Sequence, residues 1–356
     1  MKNIPNIKNV AKIAQVSIST VSRVINQSVN VSDELKERVY KAIEETNYSV
    51  NPIASNLKSA KRNQIGIVIP SLRQTYFTDI IKGASDYCYQ RQVTPIILES
   101  SGDMQKEERI IENLEKQWVD GIILIPSKNE TVPGYLEFIR SLNFLSKQNR
   151  RIPVVLAECI GTNYCLDCVR VDYEDAFYKM TCHLLENGSR QIAYLSSPKD
   201  SPFFDISWAA CLRALNSYGF MDQEDVLEDA GYTILEGYQA MRRILQKKEN
   251  IDGVVCANDQ VAAGALHACR ESESDAARKI GIVGFGGVAI SIITSPSITT
   301  MIVPRYHIGY ESARRLFQRI SGDNRKPEEV VLPSHMASRA STFQTECKKL
   351  DFMFDE

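Results

Sequence analysis

The stretch Val16–Asn26, VSISTVSRVIN, carries four hydroxyl side chains, one arginine and one terminal amide. At helical spacing Val21, Val24 and Ile25 share one side, while Ile18, Ser19, Ser22, Arg23 and Asn26 share the other. A solvated helix face is ordinarily filled with Glu and Lys; this one is small, polar and almost uncharged. Its chemistry suits the major groove of DNA. Arginine pairs bidentately with guanine, Asn and Ser bond base edges or phosphates, and Ile touches a thymine methyl. A helix N-terminus also attracts phosphate.

Other reactive groups are present without the partners that their chemistry needs. Cys165 and Cys168 form a C-x-x-C, with Cys159 nearby, among nine cysteines. A structural zinc needs further ligands, yet there are only four histidines and the nearest is His183. No metal site is expected. GFGGVA, Gly284–Ala289, matches a dinucleotide fingerprint but lies late in the chain, with no acidic residue about twenty positions on. Nucleophile elbow, phosphate loop and metal-hydrolase patterns are missing too. The expectation is a protein with no cofactor and no enzymatic activity.

The elements that would carry these residues fall into two kinds. Residues 4–48 read as three helices, with Asn6 and Ser17 as caps of the first two and Asp33 opening the third. From Ile65 onward short apolar runs alternate with amphipathic stretches. One series is Ile65–Ile69, Thr94–Leu98, Gly121–Ile125 and Val154–Leu156. A second is Val169–Val171, Ile192–Leu195, Gly253–Cys256 and Ile280–Val283. Such alternation predicts parallel sheets covered on both faces, and two series predict two lobes with a crevice at the strands' carboxyl ends. Ser127–Arg151 reads as a helical insert before the last strand of the first lobe.

The chain has 356 residues, 44% apolar and 24% charged, enough for two or three domains with sizeable cores. Net charge is only -2. Residues 1–63 hold ten basic and five acidic residues, so a basic head stands on an acidic body. The first residues, MKNIPNIKNVAKIAQ, lack the apolar core of an export signal, and no apolar run is long enough to span a membrane. A cytoplasmic protein with no membrane partner is expected.

The N-terminal run NVAKIAQVSISTVSRVINQSVNVSDELKERVYKAIEETNYSVNPIASNLKSAKRNQIGIVIP resembles the lactose-repressor/galactose-repressor (LacI/GalR) family of bacterial transcription regulators. VDGIILIP, CANDQVAAGAL, KIGIVGF and SPSITTMIVPRYHIGYESARRLFQRI are similar to successive landmarks of that family's ligand-binding body, and VVLPSHMASRAST to its closing strand. The resemblance implies an all-α helix-turn-helix head with a hinge helix. An α/β periplasmic-binding-protein-like body of two Rossmann-like lobes would follow. The implied bounds are 1–50 for the head, 51–63 for hinge and linker, 64–343 for the body and 344–356 for a tail.

The same resemblance assigns roles. Residues 8–14 and 17–26 would form the helix-turn-helix. Ile18 and Ser19 would read bases, with Arg23 in support, while Ser17, Thr20, Ser22, Asn26 and Asn30 hold phosphates and register. Asn6 and Asn51 are placed at the DNA as well. Ala54 and Leu57 would enter the minor groove, Leu57 as a wedge at the central base step. Two departures stand out. Gln15 occupies a turn position usually held by Gly, which implies a left-handed backbone. Pro52 follows Asn51, where the family's proline usually precedes the Asn; a proline in a first helical turn is well tolerated.

In the body the implied effector pocket includes Leu72, Tyr76, Phe77, Glu158, Ser207, Tyr232, Asn258 and Gly286. Aromatic rings stack on sugar faces, and carboxylates and amides hold hydroxyls. Two usual sugar anchors are missing: Ser207 stands in the place of an Arg and Gly286 in the place of an Asp. The expected effector is therefore not an ordinary pyranose in the usual pose. The whole would be a homodimeric repressor on a pseudo-palindromic double-stranded operator, its affinity controlled by a small-molecule effector. The tail FQTECKKLDFMFDE lacks a leucine heptad, so no tetramerising coiled coil is expected. The alternatives are control by a protein partner, or a solute-binding protein.

Overall fold

The computed structural model describes residues 6–25, 31–46, 48, 62–147, 150–159, 165–220, 227–247 and 250–342. The chain divides into two units at residues 62 and 63.

In the head, Asn6 is extended and its side-chain oxygen accepts from the backbone N–H groups of Lys8 and Asn9, which starts α1 (Ile7–Ile13). The turn that follows contains Gln15 at φ 52°, the left-handed conformation that its place in the sequence implied. Ser17 Oγ accepts from the Thr20 N–H at 3.1 Å and opens α2 (Ile18–Ile25). From α3 (Asp33–Thr46), Arg38 donates to the carbonyls of Ala14, at 2.7 Å, and Gln15, at 3.3 Å. That guanidinium satisfies carbonyls that α1 leaves open at its C-terminal end. Val10, Ala14, Val21, Val24, Val39 and Ala42 form the small core.

The body runs β1 (Gln64–Ile69), α4 (Tyr76–Gln90), β2 (Thr94–Glu99), α5 (Met104–Lys116), β3 (Gly121–Leu124), α6 (Tyr135–Ser141), β4 (Val154–Ala157) and β5 (Asp167–Val171). It continues with α7 (Tyr173–Glu186), β6 (Ile192–Ser196), α8 (Phe204–Ser217), β7 (Leu227–Asp229), α9 (Ile234–Lys247), β8 (Gly253–Cys256) and α10 (Asp259–Glu271). It closes with β9 (Gly281–Gly286), α11 (Ile290–Ile293), β10 (Thr299–Ile302), α12 (Arg305–Ile320), β11 (Glu329–Leu332) and β12 (His335–Ala337). Among the described residues these strands make two six-stranded sheets, ordered β11-β5-β4-β3-β1-β2 and β12-β10-β9-β8-β6-β7.

Three expectations are corrected. Val169–Val171 does not open the second lobe; as part of β5 it pairs in parallel with β4, Leu156 opposite Cys168. A buried strand is apolar on both faces and carries no mark of which sheet it joins. VVLPSHMASRAST is not one closing strand. β11 joins the first sheet beside β5, and β12 pairs antiparallel with β10 in the second, with Pro333 between them. Finally, the described residues of 127–151 are helical only over α6 and a following single turn, Leu142–Phe144, before a two-residue antiparallel ribbon.

The chain therefore crosses between lobes after β5, after β10 and after β11. α7 packs in the second lobe and α12 back in the first, against α4, β3, β4 and β5. α4 and α12 meet at Gly83 and Gly309, where a Cβ on either would run into the other helix's backbone. That close crossing holds Tyr76 and Arg305, the first residues of the two helices, at the same end of the lobe.

Candidate functional site: the hydroxyl-bearing helix and the interlobe cleft

On α2, Val21 and Val24 are buried, while Ser19 and Arg23 are exposed and Ile18 is 43% exposed. Arg23 forms no ion pair among the described residues. Ser17 Oγ lies 2.7 Å from Ser19 Oγ and 2.8 Å from Thr20 Oγ1. Three hydroxyls thus gather at the N-terminus of a helix whose opposite side is locked into a core. Such a cluster can accept or donate, which suits phosphate oxygens and base edges alike. Of the residues expected at DNA, Asn6, Ser17, Ile18, Ser19, Thr20, Ser22 and Arg23 lie on or beside this helix pair. Asn26, Asn30, Asn51, Ala54 and Leu57 lie outside the described residues, as do the hinge segment 51–61 and the tail.

The second candidate is the cleft at the carboxyl ends of the strands. Tyr76, Phe77, Ser207, Tyr232 and Asn258 line it, with Gln74 from the loop before α4. The cavity between the lobes is about 40 Å³ in this form, so a ligand larger than a water or two enters as the lobes part. Rings from α7, from Phe203 just before α8 and from β9 form its floor. Tyr173 stacks on Phe203 at 4.5 Å, Phe177 on Phe285 at 5.2 Å, and Phe285 on Tyr76 at 6.2 Å between centroids.

Leu72, Glu158 and Gly286 do not line the cleft. Leu72 is exposed beside it, its N–H bonded to Glu99. Glu158 is fully buried and accepts the Tyr76 hydroxyl proton at 2.8 Å. Burial pushes its carboxyl up to about 8, against the opposing pull of that hydrogen bond. Gly286 stands at φ 120° with its absent Cβ directed at the Tyr76 ring, and its carbonyl accepts from Arg305. Arg305 also donates two bonds to Asp79 Oδ2, at 2.7 and 3.0 Å. These residues fix the Tyr76 ring from behind. Asp259 belongs to the same support: Thr300 Oγ1 and the Val288 N–H donate to its buried carboxyl, which burial raises to about 7.

Sequence reasoning missed Gln74, Tyr173, Phe177, Tyr194, Ser197, Phe203 and Phe285 as cleft residues. The aromatic ones sit at helix starts or strand ends in apolar patterns, where a core ring and a cleft ring look alike. The lobes also touch at the cleft's rim. The Asn129 N–H bonds the Asp200 carbonyl at 3.0 Å, its amide bonds the Lys199 carbonyl at 3.0 Å, and Lys128 pairs with Asp200.

Comparison with known proteins supplies the frame. A family model described as "Periplasmic binding proteins and sugar binding domain of LacI family" matches residues 62–341. Another, "Bacterial regulatory proteins, lacI family", matches residues 6–51. The chain belongs to the LacI family. A LacI-family relative, the HTH-type transcriptional regulator RegA of Clostridium acetobutylicum, is 32% identical, over 94% of this chain and 98% of that one. Catabolite control protein A of Priestia megaterium is 27% identical over the same shares. The Lac repressor dimer bound to operator and the anti-inducer ONPF has the same fold, with a TM-score of 0.82 and 24% identity. Its match covers 95% of this chain and 99% of that one. As a LacI-family member the protein is a DNA-binding transcription regulator with an effector-binding domain, and its relatives are regulators rather than enzymes. No helix among the described residues is long and apolar enough to cross a membrane.

Proposed function

We propose that the protein is a homodimeric repressor. It reads a pseudo-palindromic operator through α2 and releases or grips it according to what fills the interlobe cleft. The observation that carries this reading is the face of α2: hydroxyls and one arginine, without an ion pair among the described residues, presented outward from a helix whose other side is core. Ile18 and Ser19 contact bases, Arg23 supports them, and Ser17, Thr20 and Ser22 grip the backbone. Asn26, Asn30, Asn51, Ala54 and Leu57 extend that contact.

Dimerisation is supported by apolar side chains on the body's surface. β2 is an open sheet edge with Ile97 40% exposed, and the second lobe presents Leu235 at 63% and Ile293 at 74% exposure. A dimer brings two α2 helices to successive major grooves. The description of the matching body model as a sugar-binding domain supports a small-molecule effector. Such a ligand shifts DNA affinity only by its different affinity for the two states of the body.

The test is fluorescence anisotropy with DNA from the protein's own upstream region at two salt concentrations, with and without a metabolite panel. Tight, salt-dependent binding is expected. Arg23→Ala should weaken it by about 1–3 kcal/mol, roughly 5- to 150-fold, and relax sequence preference at one position. Unchanged affinity and preference in that variant would remove α2 from its assigned role.

A further inference from the structure

Which ligand the cleft takes follows from what its lining leaves free; the argument rests on the cleft being the effector site. None of its described lining residues is charged. Two carboxyl groups behind Tyr76, Glu158 and Asp259, are fully buried and bonded to Tyr76, Thr300 and the Val288 N–H. The Arg305 guanidinium on the same side is held by Asp79 and the Gly286 carbonyl.

The neutral polar groups are mostly spent as well. Ser207 Oγ donates to the Phe203 carbonyl at 2.6 Å and accepts the Tyr194 hydroxyl at 2.7 Å. The Asn258 amide caps α10 through the Val261 N–H and donates to the Tyr232 carbonyl. Tyr76 is committed to Glu158, and Ser197 shares its hydroxyl with Ser201 at 2.7 Å. The Tyr232 hydroxyl lies against Ser201 and Ser197. Two groups remain. The Gln74 side chain has no bonding partner among the described residues. Tyr173 is only 2% exposed, lines the cleft, and its hydroxyl has no partner among the described residues either. Against these few polar atoms stand three aligned ring pairs, tilted by 21°, 22° and 26° from parallel.

We propose that the cleft binds an uncharged, planar aromatic or heteroaromatic molecule with one or two hydrogen-bonding groups, not a free sugar. Stacking on the rings supplies the affinity, and Tyr173 and Gln74 supply orientation. A hexose carries a hydroxyl on nearly every ring carbon. Buried here, most of them would lose water without gaining a partner, which penalises each one. An anionic ligand would be worse placed, since no free cation faces the cleft among the described residues.

The test uses the full chain with indole and benzamide as neutral probes, benzoate as the charged analogue of benzamide, and glucose and ribose as free sugars. Trp208 stacks on Tyr194 at 5.7 Å behind the cleft and reports occupancy by its emission; the melting temperature is the second readout. Benzamide should quench saturably at millimolar concentration, and both benzamide and indole, the latter read by melting alone because it shares tryptophan's emission, should raise the melting temperature. Benzoate should bind at least about tenfold more weakly, and the sugars should do neither. Tyr173→Phe keeps the ring and should weaken benzamide roughly 3- to 10-fold. Saturable binding of glucose or ribose, or equal binding of benzoate and benzamide, overturns this inference and leaves the effector site standing. If no probe binds while a small-molecule cell extract shifts operator affinity, this inference alone fails. If the extract does nothing either, the effector reading fails with it.

Discussion

Tyr76 enters the cleft only because the groups behind it hold it there. Glu158 does so with a carboxyl that stays protonated far above its usual range, and this has a measurable consequence. In the unfolded chain Glu158 ionises near 4.5, in the folded one at about 8. Between those values the unfolded chain releases a proton that the folded chain keeps, so stability falls as pH rises through that window and levels off above it. Asp259 and Glu107, both raised to about 7 by burial, act in the same direction but are ionised in the folded state beyond about 7. From pH 7 to 8 Glu158 contributes the largest single share of the decline, about 1 kcal/mol. In urea titrations at the two pH values, Glu158→Gln, whose amide oxygen still accepts from Tyr76, should lose about 1 kcal/mol less than wild type across that interval. Equal slopes would mean that Glu158 is already ionised in the fold. At this scale the sequence was half legible. The absence of an Arg at Ser207 and an Asp at Gly286 could be read directly. That Gly286 makes room for the Tyr76 ring could not, because the contact joins residues 210 positions apart.

Among the elements, the α4–α12 crossing sets how precisely the cleft is built. Both helices use a glycine to bring their backbones together, so a methyl group at either point forces the axes apart. Gly309→Ala should cost about 1–3 kcal/mol by overpacking and blunt any ligand response, since α4 carries Tyr76 and α12 carries Arg305. A melting curve of the variant within a degree of wild type would contradict that crossing. The alternation of strands and helices was legible because period and length separate the two. The membership of β5 and β11 in the first sheet was not, since pairing partners leave no trace in a strand buried on both faces. The face of α2 was the clearest of all, because a helix with no acidic residue and one arginine breaks the ordinary pattern of a solvated surface. The Arg38 bonds to the α1 carbonyls went unread, as one arginine on a charged helix looks like solvent-facing charge.

Taken as a whole, the body is two lobes that neither share a sheet nor occupy separate halves of the chain. The first lobe takes its last helix and last strand from beyond residue 304, after the second lobe has been almost completely traversed. A chain truncated after Val303 would lack α12, and with it the cover over β3, β4 and β5 and the partner of Gly83. It should be insoluble or cut rapidly by protease in its first lobe, whereas full-length protein resists; a soluble, protease-resistant truncated product would refute this. The ribosome meets the same order. Ile65 emerges early, yet its lobe can be finished only when Leu332 has been added. At about 5–20 residues per second that interval lasts roughly 15–50 s. For that time an apolar sheet face waits in the cell without its covering helix, so this regulator's supply in a growing cell depends on whatever shields nascent chains, before any operator or ligand is met.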